Sequence, residues 1–212
     1  MIDYGFIKIC GVTNHDDAEY VADCGASALG LIFAPTSKRV VDPETAAMII
    51  RSTAGRVLSV GVFRSLSPAS ILALVERCSL TAVQLHDAAD QSLLRSLRAS
   101  GVTTIISAQN DLVTAHNDPA LAFYDALLLD GPEPGSGIAP SFATDVFEGT
   151  RLPTLLAGGL TPDNVVQRIG DFGPWGVDVA SGTEASFGVK DHEKVASFVR
   201  RAREAFEPKG TQ

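Results

Sequence analysis

The sequence contains few cysteines and lacks any segment that would direct the chain into or across a membrane. Its three cysteines among 212 residues, Cys10, Cys24 and Cys78, are odd in number and unclustered. They predict reduced thiols rather than a disulfide framework. No apolar run is long enough to span a bilayer, and residues 1–5 lack the basic and apolar regions of a signal peptide. We therefore expect a cytoplasmic protein that does not insert into a membrane.

The sequence also lacks the patterns of metal, nucleotide and nucleic-acid binding proteins. No set of His, Cys or Asp has metal-ligand spacing, and neither a G-x-G-x-x-G nor a Walker pattern is present. Lys and Arg number 17 against 25 Asp and Glu, and the net charge of −8 argues against nonspecific binding to nucleic acid or anionic membrane. We expect no metal and no cofactor, although a local basic pocket can still hold a small anion.

No linker divides the chain, and its short apolar runs indicate one repeated plan. A composition of 45% hydrophobic and 20% charged residues predicts one globular domain with a large core. Most of the apolar runs are nearly continuous, as expected of parallel strands that are covered on both faces. The eight predicted strands are 6–10, 28–33, 57–62, 82–85, 103–107, 126–129, 154–157 and 176–179.

Amphipathic segments between these strands predict helices, and the alternation indicates the fold class. Asp42, Ser67 and Thr161 each precede a proline and are predicted helix N-caps. Eight strand–helix units favour a single-domain (β/α)8 TIM barrel of the α/β class over a doubly wound open sheet. We expect the barrel over residues 1–207 and a loose tail over 208–212. The predicted helices are 16–24, 43–52, 68–78, 92–100, a segment within 111–123 that Asn117-Asp118-Pro119 interrupts, 162–169 and 191–206.

In such a barrel the carboxyl ends of all strands meet at one rim, and Cys10 and Asp130 end the first and sixth strands. A thiol of lowered pKa can act as a general base or nucleophile, and a carboxyl of raised pKa can act as a general acid. The two residues therefore form a candidate acid–base pair with room for a small substrate between them. The alternative is that Cys10 is a buried small apolar residue and that Asp130 opens a turn.

Glycines follow the last strands, where a barrel commonly binds phosphate through backbone N–H groups. Gly158 and Gly159 follow the seventh strand, and Ser181 and Gly182 follow the eighth. Gly137, after the sixth strand, can add a further donor. We predict a phosphate site at these five residues, although each glycine pair alone also suits a plain turn.

Three further polar residues at strand ends are candidate substrate contacts. Arg39, after the second strand, can pair with a carboxylate. His86 ends the fourth strand and Asp178 lies in the eighth, where each can line the pocket or serve only a structural purpose. Arg39 has the corresponding alternative of an exposed loop cation. All three are predicted to bind substrate.

Short motifs in a specific order and spacing extend along nearly the whole chain. They are Lys8-Ile9-Cys10-Gly11, Gly30-Leu31-Ile32-Phe33-Ala34-Pro35 with Ser37 and Arg39, Val60-Gly61-Val62-Phe63, Val83-Gln84-Leu85-His86, Leu128-Leu129-Asp130, Leu156-Ala157-Gly158-Gly159-Leu160-Thr161-Pro162-Asp163-Asn164-Val165, Gly176-Val177-Asp178-Val179 with Ser181-Gly182-Thr183-Glu184, and Gly188-Val189-Lys190-Asp191. In this arrangement the chain resembles the phosphoribosylanthranilate isomerase family of tryptophan biosynthesis.

The resemblance implies a (β/α)8 barrel that catalyses an Amadori rearrangement without a cofactor. N-(5-phosphoribosyl)anthranilate would become 1-(2-carboxyphenylamino)-1-deoxyribulose 5-phosphate. By this resemblance Asp130 is the general acid that protonates the furanose ring oxygen, and Cys10 is the general base that removes the C2′ proton. Arg39 would hold the anthranilate carboxylate, and the glycine loops would hold the phosphate.

The chain departs from the family pattern around the aromatic and phosphate ends of the site. Residues 134–137 replace a Gly-Gly-Thr-Gly-like loop, residues 141–143 replace a Phe-Asp-Trp stretch, and Asp87 replaces a glycine. Two alternatives stay open: a divergent paralogue that isomerises a related aminoribosyl phosphate, and a noncatalytic phosphosugar-binding barrel. Monomer and homodimer are both compatible with the sequence.

Overall fold

A computed structural model describes residues 2–108, 119–131 and 151–207, and within them eight parallel strands close into a barrel. The ring closes because the first strand pairs with the second on one side and with the eighth on the other. This closure confirms the predicted barrel, since an open sheet would leave two strands with one neighbour each. The strands are β1 (Phe6–Cys10), β2 (Ala28–Ile32), β3 (Leu58–Phe63), β4 (Ala82–Leu85), β5 (Thr103–Ala108), β6 (Ala126–Leu129), β7 (Thr154–Leu156) and β8 (Gly176–Val179).

The predicted strands agree closely with the observed ones, and where the bounds differ they do so by one residue at one end or, for β3, at both ends. The sequence predicts them well because both faces of the strands are largely buried, so most strands are nearly continuous apolar runs. β2, for example, is almost wholly buried along Ala28–Ile32.

Six α-helices in the described ranges surround the barrel. They are α1 (His15–Asp23), α2 (Pro43–Ser52), α3 (Pro68–Cys78), α4 (Gln91–Ala99), α5 (Val165–Phe172) and α6 (His192–Phe206). The predicted caps of α2 and α3 are confirmed, since the side chains of Asp42 and Ser67 accept hydrogen bonds from the backbone N–H groups of Thr45 and Ser70. Of the predicted helix within 111–123, residues 111–118 lie outside the described part, and Pro119–Phe123 form a 3₁₀-helix.

The predicted start of α5 is wrong by three residues. We expected Thr161 to cap a helix that begins at Pro162, but α5 begins at Val165, after Asn164. The Asn164 side chain accepts a hydrogen bond from the N–H of Thr161 and donates one to the carbonyl of Gly159. Asn164 therefore holds the preceding loop in a turn, and the helix begins only after it.

Side chains alternate between a barrel interior and an outer layer against the helices, as the pleat of a strand requires. On β1, Phe6 and Cys10 belong to the interior cluster, whereas Ile7 and Ile9 belong to the larger cluster that includes helix residues. Lys8 lies between Phe6 and Cys10 on the inward face and is fully buried. The centre of the barrel therefore contains a charged residue among apolar ones.

After β8, a short 3₁₀-helix (Ser181–Thr183) leads into a two-stranded antiparallel sheet that the sequence analysis did not predict. Its strands are β9 (Glu184–Ser186) and β10 (Val189–Lys190). Strands of two or three residues are too short to show a period-2 pattern, which is why they were missed. The described part of the chain includes no helix with the length and apolarity needed to cross a bilayer, and the predicted tail at 208–212 lies outside it.

Candidate active site

A cavity of about 430 Å³ lies at the carboxyl ends of the barrel strands. The five predicted catalytic and substrate-binding residues all line it, so the structure brings together side chains that are far apart in the chain. They are Cys10, Arg39, His86, Asp130 and Asp178.

The floor of the cavity is an ion pair between neighbouring strands. Lys8 on β1 is paired in register with Asp178 on β8, and the Lys8 Nζ lies 2.8 Å from the Asp178 Oδ1. Burial disfavours the Lys8 charge, but the Asp178 carboxylate offsets this effect and the pKa of Lys8 is raised. Lys8 therefore carries a positive charge directly beneath Cys10.

Cys10 is the last residue of β1, and it is 6% exposed where it lines the cavity. Burial raises the pKa of the Cys10 thiol, because a thiolate is poorly solvated there. The positive charges of Lys8 and Lys190 act in the opposite direction and lower it. The net pKa of Cys10 lies above the ordinary value, so the neutral thiol is the major form near neutral pH.

Asp130 follows β6 on another side of the same cavity. Burial, and next the nearby Asp178 carboxylate, raise the pKa of Asp130 to about 6. The N–H of Gly131 donates to the Asp130 Oδ1 at 2.9 Å and opposes this shift. Asp130 thus keeps a proton to a higher pH than an ordinary aspartate, as the sequence analysis expected of a general acid.

Arg39 is not the exposed loop cation of the alternative interpretation. Its Nε and Nη2 donate to the two carboxylate oxygens of Glu184 at 2.6 and 2.8 Å, and Arg39 is only 8% exposed. Lys190 is bound from the other side, since its Nζ donates to the carbonyls of Cys10 and Ala180 and lies 3.4 Å from Glu184. This network fixes Arg39 at the cavity wall and joins the ends of β1 and β8.

His86 lies at the wall as a neutral ring. Burial, and then the charges of Lys8 and Arg64, lower the pKa of His86 to about 4. The His86 Nε2 lies 3.2 Å from the Gln84 Nε2, while the Gln84 Oε1 is buried without a partner in the described part of the chain. A neutral imidazole suits hydrogen bonding to a substrate rather than charge pairing.

The predicted phosphate loops approach each other and the acid. Gly158 and Gly159 both have positive φ, at 86° and 61°. A Cβ on Gly158 would lie 2.5 Å from the backbone nitrogen of Gly131, so only glycine allows the loop after β7 to pass so close to Asp130. Ser181 and Gly182 begin the 3₁₀-helix beside this loop, whereas Gly137 lies outside the described residues.

With the geometry in place, comparison with known proteins decides the family. A family model described as N-(5'phosphoribosyl)anthranilate (PRA) isomerase matches residues 7–201, which include every predicted catalytic residue. The chain belongs to the PRA isomerase family. The match also covers all eight barrel strands except the first residue of β1.

Relatives of this family agree in length as well as in sequence. The N-(5'-phosphoribosyl)anthranilate isomerase of Desulfitobacterium hafniense is 36% identical over 230 residues, which cover 93% of this chain and 97% of that protein. The solved isomerase of Thermotoga maritima superimposes with a TM-score of 0.82 at 34% identity, covering 94% and 98% of the two chains. A solved isomerase in complex with reduced 1-(o-carboxyphenylamino)-1-deoxyribulose 5-phosphate has a TM-score of 0.79 at 33% identity, covering 94% and 98%.

In this isomerase fold a Gly182→Ala substitution is expected to weaken binding of a phosphorylated substrate. A Cβ at Gly182 would lie 1.9 Å from the Leu160 carbonyl oxygen, so the loops after β7 and β8 must move apart. We expect KM to rise about tenfold, or roughly 1.4 kcal/mol, with a smaller change in kcat. Steady-state kinetics on the two proteins measures this.

Gly170→Ala is the matched control for that substitution. Gly170 lies in α5, and a Cβ added there would meet nothing within 4 Å among the described residues beyond its own helix and chain neighbours. Alanine should leave KM unchanged and stabilise the helix by about 1 kcal/mol. Equal KM values for Gly182→Ala and wild type would contradict the phosphate site at these loops.

Sequence reasoning missed three charged residues of this site, namely Lys8, Glu184 and Lys190, to which it assigned no part. Lys8 had a signal, because a lysine inside a buried apolar strand requires a charge partner. Nothing in the sequence, beyond their place in the motifs, indicated a role for Glu184 and Lys190, because their partners are distant in sequence. Glu184 meets Arg39 across 145 positions, and Lys190 meets the Cys10 carbonyl across 180.

Proposed function

We propose that Cys10 and Asp130 are the general base and general acid of a PRA isomerase. The reaction is the Amadori rearrangement of N-(5-phosphoribosyl)anthranilate to 1-(2-carboxyphenylamino)-1-deoxyribulose 5-phosphate, an aldose–ketose isomerisation in tryptophan biosynthesis. One observation carries the proposal. A thiol and a carboxyl of raised pKa line the same cavity, next to the buried ion pair of Lys8 and Asp178.

Asp130 begins the reaction by giving its proton to the furanose ring oxygen. The C1′–O bond breaks, the anthranilate nitrogen supplies the electron pair, and a protonated Schiff base forms at C1′. The raised pKa of Asp130, about 6, suits this step because the carboxyl must hold a proton near neutral pH. An ordinary exposed aspartate would hold one far less often.

The Cys10 thiolate then removes the proton from C2′. The C2′–H electrons form a C1′=C2′ double bond, and the electrons of the C=N bond return to nitrogen, which gives an enolamine. Transfer of the C2′ hydroxyl proton and protonation of C1′ yield the ketone. The proton gained by Cys10 and the proton lost by Asp130 balance, so the pair returns to its starting form after one proton exchange.

In the active form of the enzyme, the one proton that the pair shares is on Asp130, although most molecules carry it on Cys10. Between about pH 6 and the pKa of Cys10, the pair binds one proton, and most molecules carry it on the thiol. A constant minority carries it on Asp130 and leaves Cys10 as a thiolate. Only this minority is active, and its size depends on how well the site stabilises the thiolate.

Arg39 is the proposed partner of the anthranilate carboxylate. Two of its nitrogens are bound to Glu184, while its Nη1 donates no hydrogen bond within the described residues. Phe187, 59% exposed at the rim of the cavity, lies under both the Lys38 ammonium and the Arg39 guanidinium. The rim therefore offers a cation and an aromatic surface together, which suits an anionic aromatic ring.

The remaining predicted residues are proposed to bind the sugar and the phosphate of the substrate. Asp178 and His86 line the cavity wall and are proposed to bind the ribose hydroxyls. Gly158, Gly159, Ser181 and Gly182 are proposed to bind the phosphate through backbone N–H groups. We also infer a cytoplasmic location, which the three free cysteines support.

The test of this function is turnover of freshly prepared N-(5-phosphoribosyl)anthranilate, followed by the loss of its fluorescence. Rapid loss with wild type and none without enzyme is the expected result. If wild type leaves this substrate intact, the function is wrong as stated, and analogues with a changed ring would identify a divergent paralogue. Binding of the product without turnover of any analogue would instead identify a noncatalytic phosphosugar-binding barrel.

A further inference from the structure

Lys8 is a buried cation that no step of the reaction uses directly. It is fully buried on β1, two residues before Cys10, so its side chain points to the same interior face of the strand. Its ammonium donates to the Asp178 Oδ1 at 2.8 Å, and Asp178 lines the same cavity as Cys10. Lys8 is therefore a buried positive group on the same face of β1 as the proposed base.

Packing alone does not explain a charge at this position. The barrel interior around it is largely apolar, with Ala28, Val60 and Leu155 among its residues. Replacing a buried ion pair by apolar residues of similar volume is often neutral or stabilising, so a fold that needs only volume here does not need Lys8 and Asp178. The burial of this charged pair on the same barrel face as Cys10 is the feature that a volume-filling role leaves unexplained.

We propose that Lys8 is a positioning residue that stabilises the thiolate form of Cys10 and thereby sets the fraction of enzyme able to remove the C2′ proton. The inference rests on the proposed function, because it assigns a task to the same base. Lys8 does not touch the substrate. Its side chain lies on the same face of β1 as that of Cys10, and its positive charge balances the thiolate until Cys10 takes up the substrate proton.

Lys190 and Arg39 approach Cys10 from other elements, but the positive charges of both are paired with the carboxylate of Glu184. Lys190, on β10, donates to two backbone carbonyls and lies 3.4 Å from Glu184, which also binds Arg39 bidentately. Glu184 therefore offsets much of their field at the sulfur. Lys8 is matched only by Asp178 among the described residues, and of the two lysines it has the larger effect on the thiol.

Asp178 and Lys8 must shift the pKa of the Cys10 thiol in opposite directions. The ammonium of Lys8 favours a thiolate, while the carboxylate of Asp178 disfavours it, and Lys8 has the larger effect of the two. Asp130 and the neutral His86 face the cavity from β6 and β4, and Asp130 is ionised above about pH 6. A role in packing predicts no such pair of opposite effects.

The test is a titration of Cys10 by NMR, which needs neither substrate nor turnover. The Cβ carbon of ¹³C-labelled cysteine shifts when the thiol ionises, and loss of one signal in Cys10→Ala assigns it among the three cysteines. In Lys8→Met we expect the pKa of Cys10 to rise by about one to three units. In Asp178→Asn we expect it to fall below the wild-type value.

A double variant keeps the test decisive if Lys8→Met does not fold. Lys8→Met/Asp178→Asn removes both charges at nearly constant volume, and the pKa of Cys10 should lie above that of Asp178→Asn and above that of wild type. An unchanged Cys10 pKa in Lys8→Met, or in the double variant relative to Asp178→Asn, would overturn the proposal. Circular dichroism of each variant confirms that folded protein is titrated.

Kinetics then separates this inference from the proposed function. For each unit by which the Cys10 pKa rises, about tenfold fewer molecules carry the thiolate, so kcat/KM of Lys8→Met should fall by about tenfold or more. If Lys8→Met shifts the titration while wild type does not turn over the substrate, the function fails and the role of Lys8 stands. If wild type is active and Lys8→Met shifts neither quantity, the function stands and the role of Lys8 fails.

Discussion

A Cys10→Ala variant is expected to lose about 10³-fold in kcat/KM, the scale of a lost general base. No other group takes its place, because the charged groups that act on the sulfur in the described part of the chain are the cations Lys8, Lys190 and Arg39, and Asp178, which Lys8 binds. Around pH 6, the residual activity of this variant should change with pH in the opposite direction to the activity of wild type. It needs only the protonated Asp130, so it should fall as the pH rises through about 6.

The matched control is Cys78→Ala. Cys78 is also a buried free cysteine, but it ends α3 on the outside of the barrel, with its Sγ 3.5 Å from the Pro43 carbonyl. We expect this variant to be less stable by about 1 to 2 kcal/mol, since it leaves a small cavity, and to keep the wild-type kcat/KM. Undiminished turnover by Cys10→Ala would refute the role of the thiol.

An Asp130→Asn variant is expected to lose a similar factor, about 10²- to 10⁴-fold in kcat/KM, because an amide cannot protonate the ring oxygen. The pH profile gives the sharper expectation. Wild-type kcat/KM should rise through about pH 6, where the pair loses its first proton, and fall above the pKa of Cys10. In Asp130→Asn the group near pH 6 is gone, so the rise should move up to the pKa of Cys10.

The control for this variant is the same chemical change at the other end of the same strand. Asp125 lies just before β6 and accepts hydrogen bonds from the backbone N–H and the hydroxyl of Thr104, far from the mouth of the barrel. Asp125→Asn should lower stability slightly and leave both kcat/KM and its pH profile unchanged. A profile for Asp130→Asn that still rises near pH 6 would show that another group is the acid.

Part of the site could be predicted from the sequence, because in a parallel barrel the residues that end the strands lie together at one rim. Cys10 and Asp130 are far apart in the chain, yet each ends a predicted strand, and strand ends of a parallel barrel share one rim. The same rule placed His86, Arg39 and Asp178 at the cavity. What the rule cannot supply is which of them touch, since that depends on strand register and side-chain direction.

Lys8 illustrates this limit. Its charge is visible in the sequence, but its partner follows from the pairing of Lys8 with Asp178 between the first and the last strand of the barrel, which forms only when the barrel closes. Arg39 illustrates it as well, because its pairing with Glu184 depends on the short β9–β10 sheet that no periodicity predicts. The pKa values of Asp130 and His86 likewise follow from burial, which is a property of the closed cavity.

The sequence by itself determined the barrel, the order of its strands and the residues at its mouth, because most of the buried strands are nearly continuous apolar runs that alternate with amphipathic helices. The start of α5 escaped it, because the Asn164 side chain ties Gly159 and Thr161 into a turn before the helix. Only the tertiary structure decided the electrostatics of the site. Charge effects depend on distance and burial, and both are set when β1 and β8 meet and bring Asp178 against Lys8, which lies on the same face of β1 as Cys10.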